Sequence, residues 1–215
     1  MKNMKKIVMG LVCALALVTA SVMGTMAYLT STDEVVNTFT VGNVQIKLDE
    51  AEANPDGSLV ENAEKRVKAN NYKLLPGHTY NKDPMVTVLK GSESSYVKMT
   101  VTFTKADELD AIFAPSGADM TSIFDGYDST NWISKGNTKD TDANTRTYEF
   151  WYKEAVAALN GDVALDALFD KIVVPTSITN TQLATIEGMT ITVNAYAIQA
   201  DGFANAEAAW AAYSK

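Results

Sequence analysis

Cysteine is all but missing from this chain of 215 residues. The one that occurs, Cys13, lies inside an amino-terminal apolar run, so the rest of the chain has no thiol, no disulfide and no Cys-based nucleophile or zinc ligand. Histidine is equally scarce. His78 stands alone in a Pro-Gly-His turn. A His-Glu-x-x-His zinc site needs two histidines one helical turn apart and a third ligand. Ser-His-Asp catalysis would have to use the same His78, and no Gly-x-Ser-x-Gly elbow accompanies it. His78 therefore reads as a solvated loop residue, and no catalytic residue, metal ligand or cofactor is expected. Positive charge is short as well: 18 Lys and Arg stand against 26 Asp and Glu, a net charge of −8. An acidic chain is a poor partner for nucleic acid or anionic membranes.

The apolar run itself is short. Lys2, Lys5 and Lys6 precede Ile7 to Ala20, which is interrupted only by Gly10 and Thr19. A membrane span needs ~20 apolar residues, whereas this pattern fits the charged and apolar regions of a secretion signal. Thr25-Met26-Ala27 supplies the small-x-small cleavage pattern, which places the cut between Ala27 and Tyr28. Cys13 sits too early for lipidation at such a junction. Removing residues 1–27 leaves 188, enough for a single domain that buries roughly 70% of its unfolded surface. Without three lysines the remainder carries 15 basic and 26 acidic residues, a net charge of −11. No second apolar run would stop transfer, so the product is expected outside the membrane, released or held by other proteins.

Period two dominates what is present. Val44, Ile46 and Leu48 alternate with Gln45, Lys47 and Asp49. Phe39 and Val41 fall on the opposite parity, so a bulge is expected at Gly42-Asn43. Val97, Met99, Val101 and Phe103 alternate with Lys98, Thr100, Thr102 and Thr104. Further strands are expected at Val86 to Val88, Tyr148 to Tyr152, Leu168 to Val174 and Met189 to Gln199. Helix signals are limited to Lys105 to Phe113, the stretch Trp151 to Leu159 after its aromatic strand, and the alanine-rich tail bearing Phe203, Trp210 and Tyr213. Ser134 to Arg146 is polar and reads as a long exposed loop. The pattern predicts an all-β chain: an antiparallel β-sandwich, jelly-roll-like or Ig-like, with short helices in its connections and at the C-terminus.

Two constellations remain. Asp140-Thr141-Asp142-Ala143-Asn144 has the oxygen spacing that opens an EF-hand, but Thr145 stands where glycine is needed and Trp151 where glutamate is needed. An ordinary polar loop is the expectation. Trp132, Trp151 and Trp210 each sit in an apolar pattern and read as core rather than as a sugar platform.

Three segments resemble the TasA/camelysin family of exported matrix proteins of Gram-positive bacteria. They are "MGTMAYLTSTDEVVNTFTVGNVQIKL" at the junction, "LLPGHTYNKDPMVTV" at Leu74 to Val88, and "MTITVNAYAIQADGF" at Met189 to Phe203. The region Ala106 to Asn160 carries no matching motif. The resemblance implies cleavage by a SipW-type signal peptidase and a secreted jelly-roll domain, 28–215, at the cell surface or in biofilm matrix. It also implies head-to-tail homopolymer fibres, with accessory matrix proteins as further partners. In such fibres the freed arm, 28–40, inserts into the next subunit by strand addition. Tyr28, Leu29, Val35, Val36 and Phe39 would be its donor-strand anchors. The camelysin side of the resemblance implies a cell-surface metalloprotease, for which this sequence supplies no zinc motif. A monomeric secreted binding module is the remaining alternative. Amino-terminal sequencing of the exported protein is expected to begin Tyr-Leu-Thr-Ser; a start at Met1 would overturn the signal assignment.

Overall fold

A computed structural model describes residues 42–61, 65–113 and 124–213. They belong to the compact unit Val41–Lys215; the other unit, Met1–Thr40, lies outside the described residues. The elements in chain order are β1 (Ile46–Ala51), β2 (Arg66–Val67), β3 (Thr79–Asn81), β4 (Met85–Val88), β5 (Ser92–Thr104), α1 (Ala106–Phe113), β6 (Phe124–Asp125), β7 (Trp132–Asp140), β8 (Thr145–Tyr152), β9 (Val156–Ala158), β10 (Val163–Ala164), β11 (Lys171–Val173), α2 (Asn180–Thr185), β12 (Ile191–Gln199) and α3 (Ala206–Tyr213).

Every strand pairing is antiparallel. One sheet runs β12-β5-β8-β7, with β9 also on β5; a second runs β10-β4-β1-β2; a third, short one runs β3-β11-β6. The chain is an antiparallel β-sandwich with short helices in its connections and at its C-terminus. Among the described residues no helix is long and apolar enough to cross a membrane.

The period-two pattern of β5 explains the core. Val97, Met99, Val101 and Phe103 are fully buried, and the Lys and Thr residues between them point to the other face. Tyr148 and Phe150 of β8 join them, meeting Val86 and Val88 of β4, Tyr80 of β3 and Ile172 of β11 in one cluster. Phe124 of β6 is the aromatic hub: it stacks on Phe169 at 4.5 Å and lies edge-on to Tyr148 and Phe150. Helix α1 buries Leu109 and leans Ile112 and Phe113 on the same core, the side its spacing predicts.

Four local expectations are corrected. Ser134 to Arg146 is a β-hairpin, not a loop: β7 and β8 pair from Trp132↔Tyr152 to Asp140↔Thr145. Its residues look like a loop because both faces of β7 beyond Trp132 meet solvent, so polar side chains cost nothing while the ladder satisfies the backbone. Trp151 to Leu159 is not helical. β8 continues to Tyr152 and β9 returns to β5, with Val156 opposite Ser95. The Leu168 to Val174 strand is only Lys171–Val173, although Leu168, Phe169 and Val174 are buried. The first strand is Ile46–Ala51, so Gly42-Asn43, where a bulge is expected, precedes it and lies outside any strand, and Phe39 and Val41 lie outside the described residues.

One turn glycine is fixed by contact as well as by conformation. Gly57 has φ +88°, and a Cβ there would sit 2.6 Å from the Tyr80 Cα. Gly57→Ala combines a left-handed conformation with a backbone clash. It is expected to destabilise the fold by more than about 1 kcal/mol in urea unfolding; an unchanged midpoint would refute this packing.

Candidate functional site

Along β12 the sheet ends. Ala200 donates its N–H to the Ser94 carbonyl (2.7 Å), and Thr104 donates to the Thr190 carbonyl (3.1 Å). Antiparallel alternation then turns the even-numbered backbone groups of β12 toward β5 and those of Ile191, Val193, Ala195 and Ala197 outward. Among the described residues no strand pairs with that outer edge. The side chains of the same four residues are half-buried against the core.

Beside the start of β12 lies a groove of about 760 Å³. Its apolar lining includes Leu74, Leu183, Ile186, Met189 and Ile191. The connection 69–78 forms one wall and is pinned by Tyr80, whose hydroxyl accepts from the Leu75 N–H and donates to the Lys73 carbonyl, both at 2.7 Å. Helix α2 forms the other wall. A capping box, Thr179 with Gln182, starts it. That signal was readable in the sequence, where Thr179 precedes Gln182 by three residues.

Joined to the groove through Asn70 and Lys82, which line it, is a polar cluster that the period-two reading missed. Val44, Ile46 and Leu48 alternate as expected, but the next two residues, Asp49 and Glu50, are both buried at 6% exposure. Each acid has found a base. Arg66 donates from Nε to Asp49 (2.6 Å) and from Nη1 to Asp83 (2.9 Å), while Lys47 reaches the other Asp49 oxygen at 2.8 Å. Asp83 also accepts the Ala51 N–H at 2.6 Å. Glu50 takes Lys82 Nζ on Oε2 at 2.5 Å and the carboxamide of Asn70 on Oε1 at 3.0 Å. Asn70 is held further: its nitrogen donates to the Ala51 carbonyl (2.8 Å) and its oxygen accepts from the Ala53 N–H (2.9 Å). Burial, with the Glu50 carboxylate close by, pushes the Tyr72 phenol well above its ordinary pKa, so it remains a donor, here to the Asn81 carbonyl at 2.6 Å. Lys82 and Asp83 fall inside the "KD" of the second quoted segment; no sequence rule distinguishes such a buried pair from a solvated one.

The other candidates are placed as follows. Ala27, Tyr28, Leu29, Val35, Val36 and Phe39 lie outside the described residues. His78 occupies the expected turn, its ring 6.3 Å from that of Tyr80. In the Asp140–Asn144 segment the Asp140 carboxylate accepts the N–H groups of Asp142 and Ala143, and Asn144 bonds the start of α1, so these oxygens build the hairpin turn. Among the described residues no group of three or more metal-ligating side chains is assembled. Trp132 is buried in the core, its indole donating to the Asp166 carbonyl. Trp151 on the opposite face of the sheet meets Trp210 of α3 at 6.2 Å between rings, and the Lys98 ammonium sits 4.7 Å from the Trp210 ring.

Comparison with protein-family models, with curated proteins and with solved structures gave no match.

Burial alone would raise the Asp49 carboxyl, but hydrogen bonds from Lys47 and Arg66 outweigh it and hold the group below its ordinary value. A carboxyl lowered by folding contributes stability that is complete above its unfolded value of about 3.9 and is lost as pH falls through the folded value. Asp49→Asn is expected to cost on the order of 3 kcal/mol at neutral pH. The difference from the parent should shrink as pH falls below the unfolded carboxyl value of about 3.9 and through the lower folded value. Urea unfolding at a series of pH values checks this, and a gap that stays constant into acid refutes it.

Proposed function

We propose that this chain is a secreted structural subunit of an extracellular or cell-surface matrix. Copies join head to tail when the amino-terminal arm of one, about 28–40, completes the open sheet edge of the next. The observation that carries the reading is the outer edge of β12. It offers a row of outward backbone groups over a nine-residue strand, backed by half-buried apolar side chains and continued by the groove at its start. An added strand would satisfy those backbone groups and cover the apolar face.

The opposite edge of the same sheet supports this choice by contrast. β7 carries Lys135 and Lys139, and its register shifts between Ser134 and Asn137, where Gly136 has φ +94°. Charge and a bulge are the devices that discourage strand addition. The β12 sequence, ITVNAYAIQ, has no charge, and its register with β5 is unbroken from Ile191 to Gln199. The arm has the matching character: Tyr28, Leu29, Val35, Val36 and Phe39 among hydroxyl-bearing residues. A donor arm meeting a distant edge is a heterologous contact, which propagates instead of closing. An arm created at a signal junction is withheld until export, which fits processing by a SipW-type peptidase.

Electron microscopy of three proteins tests the reading. The processed chain is expected to form filaments. Removal of 28–36 should leave a folded monomer without them. Ala195→Pro, which removes one outward N–H and no bond to β5, should do the same. Filaments formed equally well by both variants would refute it.

A further inference from the structure

The polar cluster joined to the groove holds the three groups that an intramolecular transamidation requires. We propose that Lys82 and Asn70 become joined by an isopeptide bond, with Glu50 carrying the protons. This inference does not depend on fibre assembly.

The arrangement is specific. Lys82 and Glu50 are each only 6% exposed, so the amine is shielded from solvent. One carboxylate holds both reactants, the Lys82 ammonium on Oε2 and the Asn70 nitrogen on Oε1. A shared carboxylate that touches both nucleophile and leaving group is positioned for general acid–base work. The Asn70 oxygen already accepts the Ala53 N–H at 2.9 Å, a donor placed where negative charge would develop. The second Asn70 nitrogen bond, to the Ala51 carbonyl, fixes the plane of the amide. The half-buried Tyr72 side chain lies alongside.

The step balances without any co-reactant. Glu50 takes a proton from the Lys82 ammonium. The freed electron pair on Nζ forms a bond to Cγ of Asn70, and the carbonyl electrons move onto Oδ1, against the Ala53 N–H. Glu50 returns the proton to Nδ2 and accepts the second proton from Nζ. The carbonyl re-forms as the Cγ–Nδ2 bond breaks with its electrons on nitrogen, and neutral ammonia leaves while Glu50 keeps the last proton. A buried ammonium–carboxylate pair, which is costly to hold out of water, is replaced by a neutral amide and a neutral carboxyl. Asn70 and Lys82 both line the groove, which gives the ammonia a way out. The bond would clasp the connection 70–82 in a chain that has no disulfide to do so, restricting the unfolded state as a disulfide does.

Tryptic peptide mapping of the denatured full chain by mass spectrometry tests the proposal. Trypsin does not cut after an acylated lysine. The expected product is therefore a branched peptide in which residues 69–73 are attached to 74–90, lighter than the two together by one ammonia. Lys82→Met and Glu50→Gln should each release 69–73 as an unmodified linear peptide. Recovery of linear 69–73 and 74–82 in full from the parent overturns the bond. So does an ammonia loss at Asn70 that persists in Lys82→Met, which is succinimide formation instead. Should either variant fail to fold, the parent digest alone decides.

Discussion

The burial of one face of β5 is the constraint on which the rest of this molecule depends. Thirteen residues long, β5 is the only strand among the described residues that touches β8, β9 and β12. Its four fully buried side chains, from Val97 to Phe103, meet the second and third sheets across a single core. A one-residue slip would send Lys98, Thr100 and Thr102 inward, so the hydrophobic pattern also fixes the register of everything hydrogen-bonded to it. That includes β12, whose outer edge is available because β5 holds its inner one.

The second organising feature is electrostatic. Where β1 stops alternating, Asp49 and Glu50 enter the interior together, and Arg66, Lys82 and Asn70 are drawn in with them. The network ties β1 to β2 and to the connection between β3 and β4 at Lys82-Asp83. Breaking one partner would strand a buried charge, a far larger penalty than loss of a surface pair. It therefore acts as a clasp between the start of the chain's sandwich and the connection that walls the groove. The groove and the charged cluster meet at Asn70 and Lys82, which belong to both.

Much of this architecture could be read without coordinates. Strands with one wet and one dry face, β5 and β12 above all, announce themselves through alternation, and the turn glycines mark where they end. Helix α1 was legible because Leu109, Ile112 and Phe113 share one side. The β7–β8 hairpin was not, because its side chains are solvated on both faces and carry no period; only the ladder to β8 defines it. The short strands β2, β3, β6 and β10 escaped notice for a related reason: two or three residues are too few to show any pattern, and their partners lie far along the chain.

The same division holds for the sites. The expectations for the Ala27-Tyr28 junction, the solitary His78 and the thiol-free remainder rest on composition and short-range order alone, because those are all that residue types carry. The meeting of Glu50, Asn70 and Lys82, spread over 32 positions, was decided only by the tertiary structure. So was the difference between the guarded edge at β7 and the open one at β12. A single residue's identity says what it can do, but burial and neighbours decide whether it does so, and both are fixed by pairings between distant segments.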